Sequence, residues 1–186
     1  MLELQLLDAA KSLANGGIIA YPTEAVFGLG CDPDNEQAII RLLTLKQRSV
    51  EKGLILLASD YYQLQPFIDE ENLSKSKLAE IKARWPAVIT QIMPAKKNIS
   101  VLLTGGRNTI AVRITQHPDV VRLCQLTQKA IISTSANISG QTTATVWQQV
   151  VEQFPSQIDK LIKTQTLGLS KPSTIIDALT GKVLRV

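Results

Sequence analysis

The sequence predicts an α/β fold: a single domain over residues 1–186, with a mixed sheet flanked by helices. Three patterns point to it. Short apolar runs alternate with segments whose apolar residues recur at helical spacing, the layout of strands and covering helices. Leu54-Ile55-Leu56-Leu57-Ala58 is apolar without a break, as a strand covered on both faces requires. Near the C-terminus, the runs 173–177 and 183–185 flank a Thr180-Gly181 turn, so this pair is antiparallel and the sheet is mixed.

The elements follow in order. Leu2, Leu6, Ala9, Ala10 and Leu13 lie at helical spacing, and Asn15-Gly16-Gly17 ends that helix because glycine accepts a left-handed stop. Residues 18–21 form the first strand, and Asp32-Pro33-Asp34 a turn. Ala38, Ile39, Leu42, Leu43 and Leu45 mark a second helix that runs into Lys46-Gln47-Arg48. After the strand at 54–58 come a short helix over 61–67 and a longer one over 73–84, which Trp85-Pro86 terminates. A strand covers 88–93. Residues 94–107 read as a loop with a short strand at Val101-Leu102-Leu103. Thr109-Ile110-Ala111-Val112-Arg113-Ile114 is a strand, His117-Pro118-Asp119 opens a helix, and residues 130–134 form another strand. Val146, Val150 and Val151 mark a helix and Leu161-Ile162 a short strand before the C-terminal hairpin.

Composition narrows the function. Apolar residues are 45% and charged residues 19%, ordinary for a globular protein, and 186 residues suffice for one core but fall short for two. The net charge of +4 suits phosphate-bearing partners without demanding nucleic acid. Cys31 and Cys124 stand in different elements with no CxxC, which excludes a disulfide framework or zinc site and suits the reducing cytoplasm. The N-terminus lacks the cationic start of a signal peptide, and no apolar run is long enough to cross a bilayer, so no membrane association is expected.

The chemistry gathers in two stretches, Tyr21-Pro22-Thr23-Glu24-Ala25-Val26-Phe27-Gly28-Leu29-Gly30 and Ser133-Thr134-Ser135-Ala136-Asn137-Ile138-Ser139-Gly140. Each follows an apolar strand and supplies small hydroxyl and backbone donors at a strand end, where open α/β sheets bind ligands. Lys46 and Arg48, at alternate positions after a helix, are able to clamp a polyphosphate from an extended segment and should be exposed; a solvated helix end is the plainer alternative. Arg113 interrupts an apolar strand and needs a carboxylate partner, either a structural Asp or Glu or one carried by a ligand. There is no GxxxxGK[ST] phosphate loop. Pro33 stands where a dinucleotide fingerprint needs its third glycine. His117, the one histidine, reads as a helix-entry residue rather than a catalytic base.

These pieces resemble the YrdC/Sua5 family of threonylcarbamoyl-AMP synthases. Besides the two stretches above, the matching segments are Lys46-Gln47-Arg48, Lys52-Gly53-Leu54-Ile55-Leu56, Arg84-Trp85-Pro86, Ala111-Val112-Arg113 with His117-Pro118, and Pro172-Ser173-Thr174-Ile175-Ile176-Asp177. They fall in the family's order over nearly the whole chain, in the manner of its short bacterial form. Trp85-Pro86-Ala87-Val88 departs from the family's usual Trp-Pro-Gly-Pro, and Ser49 stands where proline is usual.

The resemblance implies the YrdC/RibB-like architecture, a twisted open mixed sheet with flanking helices around a positive groove. It implies that threonine and bicarbonate or CO2 give N-carboxythreonine, whose carboxylate attacks the α-phosphate of ATP to yield threonylcarbamoyl-AMP and pyrophosphate. Other proteins then complete the t6A modification of tRNAs. By position, Thr23, Arg113, Ser133 and Ser173 would hold threonine, and Lys46, Arg48, Thr109, Ser135, Asn137 and Arg185 would hold ATP, with Lys46 and Arg48 catalytic. Mg²⁺ would arrive with ATP rather than in a protein metal site. The competing reading is a module that binds tRNA or double-stranded RNA without chemistry. An aromatic content of 4% provides few stacking platforms for it.

Overall fold

A computed structural model describes residues 1–71 and 73–185. Among them, nine strands form one sheet in the order β7-β1-β2-β6-β3-β5-β4-β8-β9. The strands are β1 (Ile19–Pro22), β2 (Phe27–Gly30), β3 (Ile55–Ala58), β4 (Ile89–Pro94), β5 (Thr109–Ile114), β6 (Ile131–Ser135), β7 (Lys160–Leu161), β8 (Thr174–Asp177) and β9 (Val183–Arg185). The pairs β1/β7, β3/β5 and β4/β8 are parallel and the others antiparallel, so the sheet is mixed as expected.

The helices are α1 (Leu2–Ala14), α2 (Glu36–Leu45), α3 (Lys75–Lys82), α4 (Val101–Thr104), α5 (Pro118–Thr127) and α6 (Trp147–Gln153). Three departures from the sequence reading have local causes. Residues 27–30 form β2, which pairs with β1 in a hairpin, rather than a ligand loop. Phe27 and Leu29 are buried in the main core, while Gly28 and Gly30 lie against the Tyr21 ring, so glycine supplies room and not looseness. Val101 to Leu103 belong to the helical turn α4: Ser100 Oγ accepts from Leu102 N–H, and Gly105 ends the turn at φ +66°. The helix expected over 61–67 shortens to a 3₁₀ turn, Tyr61–Gln63.

The two faces of the sheet are treated differently. On one, Phe27, Leu29, Leu56, Ile110, Val112 and Ile132 pack beneath α2, with α6 and α3 adding Val150 and Ile81. On the other, Leu6, Ala9 and Leu13 of α1 and Val120, Leu123 and Cys124 of α5 cover Ile19, Tyr21, Leu57, Ile131 and Ile162. Part of the rest of that second face is left open, while Thr90, Arg113 and Ser173 on it are buried. Ile55, Ile92, Thr109, Ala111 and Ser133 are half-buried there, whereas their neighbours Leu56, Met93, Ile110, Val112 and Ile132 are fully buried. The period-two alternation of the strands therefore survives as a burial pattern.

Gly30 is the tightest point of this arrangement. A methyl group there would stand 2.1 Å from the Ile132 carbonyl oxygen and 3.0 Å from the Tyr21 ring, and the Tyr21 hydroxyl donates to that same carbonyl at 2.9 Å. Gly30→Ala is expected to cost about 3 kcal/mol or more, at the upper end of overpacking penalties, because backbone rather than a flexible side chain must give way. Chemical denaturation measures it; a loss under about 1 kcal/mol would contradict the packing described.

Candidate active site

Strand register gathers the candidate residues onto the open face. Ser135 stands opposite Gly28, Ser133 opposite Ile55, and Ile55 opposite Ala111. Thr109 and Arg113 flank Ala111 at two-residue spacing and share its face. Ile92 pairs with both Ala111 and Asp177, and Ile175 pairs with Arg185. Ser173 joins the same face through a 2.8 Å hydrogen bond between its hydroxyl and that of Thr90. Thus Thr109, Arg113, Ser133, Ser135, Ser173 and Arg185, distant in the chain, share one side of one sheet.

One end of this face opens into a groove of about 880 Å³ lined by Arg48, Lys52, Arg107, Thr109 and Arg185, with Glu51 and Asp177 also on its wall. Cations outnumber acids, so the groove favours an anion. The Arg185 guanidinium donates to the Ser173 carbonyl at 2.9 Å, linking the groove to Ser173. Arg48 is half-buried: Nη2 donates to the Gly53 carbonyl at 3.0 Å, and buried Nε finds no partner.

Lys46 departs from expectation, since it is buried rather than exposed. It does not share an extended segment with Arg48, because Gln47 between them turns at φ +48°. The Lys46 ammonium instead reaches the β6 loop, donating to the Ser135 carbonyl and, at 2.7 Å, to that of Asn137. Its own carbonyl accepts from Ser139 N–H at 2.9 Å. Within the loop, Ser135 Oγ donates to Asn137 Oδ1 at 2.6 Å, and Asn137 Nδ2 donates to the carbonyls of Ile138 and Gln141. Lys46, Ser135 and Asn137 are therefore one hydrogen-bonded unit at the end of α2.

Burial, then the charge of Arg48, push the Lys46 ammonium down to about 8. The folded value lies below the ordinary lysine range, so this group's burial penalty is full below about pH 8 and relaxes as pH rises through that value. The ammonium charge that ties Lys46 to the Ser135 and Asn137 carbonyls is lost over the same window. ATP-dependent turnover is expected to fall above about pH 8 with no loss of folded protein, read from a pH–rate profile beside a stability profile. A flat profile to pH about 10 would contradict this assignment.

Arg113 has the carboxylate its strand position demanded, and it is Glu24. The two form a buried ion pair; Glu24 is 1% exposed and Arg113 9%. The second Glu24 oxygen accepts from Thr115 Oγ1 at 2.9 Å and Gln116 N–H at 3.0 Å. Burial alone would raise the Glu24 carboxyl, but the Arg113 charge and the backbone N–H groups of Gln116 and of Glu24 itself outweigh it and hold the group below its usual range. Arg113 Nε is buried without a partner. Next to this pair, Thr23 Oγ1 donates to the Val26 carbonyl at 2.7 Å. Ser133 is half-buried, close enough to Gly28 that an added methyl would meet its hydroxyl at 3.5 Å.

Sequence reasoning gave no role to Glu24, Lys52 or Arg107. For Glu24 a signal existed: a charge-bearing strand required an acid, and Glu24 sits in the other singled-out stretch. Lys52 opens a segment that carries the family resemblance, but Arg107 has no such signal, and only the approach of α4 to the turn at residues 50–52 brings the two together.

The geometry defines a class: an open α/β sheet that presents a cation-lined groove beside a buried arginine–carboxylate pair, suited to two anionic ligands side by side. The chain belongs to the Sua5/YciO/YrdC family, whose model, described as telomere recombination, matches residues 11–186. It is 52% identical over 177 residues to the threonylcarbamoyl-AMP synthase of Pseudoalteromonas translucida, covering 95% of each chain. A structure of P. abyssi Sua5 complexed with L-threonine superposes with a TM-score of 0.86 at 31% identity, over 94% of this chain and 51% of that one. A variant of P. abyssi Sua5 gives 0.90 at 29% identity, over 99% of this chain and 56% of that one. The chain thus spans about half the length of these Sua5 structures and nearly all of its curated relative.

Proposed function

We infer that this protein is a threonylcarbamoyl-AMP synthase, using L-threonine, bicarbonate or CO2, and ATP. The observation that carries the reading is the open sheet face, where a polyphosphate-sized cationic groove and a buried arginine with an unpartnered N–H lie on one surface. The nucleophile in this reaction, the carbamate oxygen of N-carboxythreonine, is already an anion, so no catalytic triad is required. Catalysis reduces to aligning two anions and neutralising charge on phosphorus.

In this assignment Arg113 takes the threonine carboxylate, with Thr23, Ser133 and Ser173 around the amino acid. Arg48, Thr109 and Arg185 take ATP in the groove. Lys46, Ser135 and Asn137 shape the loop that the phosphates approach. The carbamate oxygen bonds to the α-phosphorus as the bond to the β-phosphate bridge breaks, releasing pyrophosphate. Among the described residues no group of three His, Cys, Asp or Glu side chains stands ready for a metal, and Asp177 uses one carboxylate oxygen, Oδ1, to accept from Leu179 N–H and from the N–H and hydroxyl of Thr180. In this assignment magnesium comes with ATP, held by phosphate oxygens and water.

On this reading the protein works in the cytoplasm and hands its adenylate to the proteins that complete t6A on tRNA. Among the described residues, no helix is long and apolar enough to cross a membrane. A module that binds RNA without chemistry is the weaker reading, since the curated relatives carry an enzyme's name. The test is incubation with ATP, bicarbonate and each amino acid in turn. Threonine should support release of pyrophosphate with an acid-labile adenylate; release independent of threonine, or none, would refute it.

A further inference from the structure

Glu24 lies where three segments meet. Its carboxylate holds Arg113 of β5 on one oxygen and Thr115 and Gln116, just beyond β5, on the other. Its backbone carbonyl accepts from Leu169 N–H at 3.0 Å. Leu169 belongs to the chain between β7 and β8, residues 162–173, which leaves one edge strand of the sheet and arrives beside the strand at the opposite edge. That crossing segment is fastened further by Leu167 N–H to the Thr23 carbonyl, by His117 Nε2 with the Gln165 carbonyl at 3.0 Å, and by Thr164 Oγ1 to Asp119 at 2.5 Å.

The pairing is one-sided. Glu24 engages Arg113 through Nη2, and Nε is left buried with no acceptor. A buried guanidinium N–H without an acceptor is costly, and Glu24 leaves that part of the Arg113 donor set unused. The carboxylate of Glu24 also cancels the arginine charge before any ligand arrives, so the fold does not carry an unpaired buried cation.

We propose that Glu24 is the positioning residue for amino-acid recognition, fixing the Arg113 guanidinium by one nitrogen so that its remaining donors face the carboxylate of the incoming substrate. This rests on the threonine assignment made above. Glu24 touches no reacting atom; it acts through Arg113. A glutamine in its place has the same shape but one acceptor oxygen. It faces a donor with its NH2 group, toward either Arg113 or Gln116, and the guanidinium loses its fixed direction.

The test compares wild type, Glu24→Gln, Arg113→Ala and the double variant by calorimetric titration of threonine, threoninamide and ATP separately. Threoninamide lacks the carboxylate. Glu24→Gln should weaken threonine at least about tenfold, the worth of one charge-assisted hydrogen bond, while ATP shifts less than about twofold. Wild type should prefer threonine over threoninamide, and the variant should lose most of that preference. In the Arg113→Ala background, Glu24→Gln should have no further effect on threonine. A merely structural role would instead lower threonine, threoninamide and ATP together and add to Arg113→Ala. Glu24→Asp keeps the charge on a shorter arm and should show a smaller loss in the same direction, which gives a reading should the glutamine variant fold poorly. Unchanged threonine affinity in Glu24→Gln, additive effects, or a parallel fall in ATP would overturn the proposal. Wild type that binds no threonine would instead overturn the functional assignment itself.

Discussion

Arg113→Ala is expected to weaken threonine binding roughly a hundredfold, the equivalent of two charge-assisted hydrogen bonds, and to leave ATP binding much less affected. It should also destabilise the fold by about 3–5 kcal/mol, because Glu24 is left as a buried charge with no partner. The pH dependence separates this from simple loss of packing. In wild type the Glu24 carboxyl lies below its ordinary value, so its contribution is present above that value and lost as pH falls through the lowered one. Without Arg113 the desolvation of Glu24 dominates and raises its carboxyl above the ordinary value. The contribution then reverses, being fully present below the unfolded value and lost as pH rises through the raised one. Denaturation midpoints between about pH 4 and 7 should rise with pH for wild type relative to the variant. Identical slopes for the two proteins would show that the ion pair does not govern this region.

Lys46→Ala should lower turnover roughly a hundredfold to a thousandfold, as removal of an organising donor at an anionic transition state does elsewhere. Unlike an exposed lysine, it should also lower stability, by about 2–3 kcal/mol, since the Ser135 and Asn137 carbonyls lose the donor they share. Amide exchange should rise locally over residues 135–141. Arg48→Ala is the contrast. It gives up one bond to the Gly53 carbonyl at the groove wall, so turnover should drop with little change in folding. Pyrophosphate release at the wild-type rate by the double variant would remove both residues from the mechanism.

The legible parts of the fold were those whose signal is periodic or chemical. The α1, α2 and α5 patterns, the buried β3 run and the C-terminal hairpin all follow from side chains that must be hidden. Arg113 announced a need for a carboxylate, and the two small-residue stretches do flank the open face. What the sequence could not reveal depends on backbone partners or on distance. Lys46 looked like a solvated helix end because two carbonyls, not acidic side chains, satisfy it. Residues 27–30 looked like a loop because glycines at alternate positions resemble flexibility, whereas here they make room for Tyr21. The role of residues 162–173 is fixed by where β7 and β8 sit at opposite sides of the sheet, which no local pattern encodes.

The central claim is that both ligands lie on the half of the sheet face left bare by α1 and α5, with threonine at Arg113 and the triphosphate toward Arg48. A crystal structure with L-threonine and a non-hydrolysable ATP analogue tests this most directly. The account predicts the threonine carboxylate on the Arg113 guanidinium and the phosphates in the groove between Arg48, Thr109 and Arg185. Either ligand on the opposite face under α2, or in the separate cavity of about 840 Å³ lined by Tyr62, Phe67 and Lys97, would contradict it.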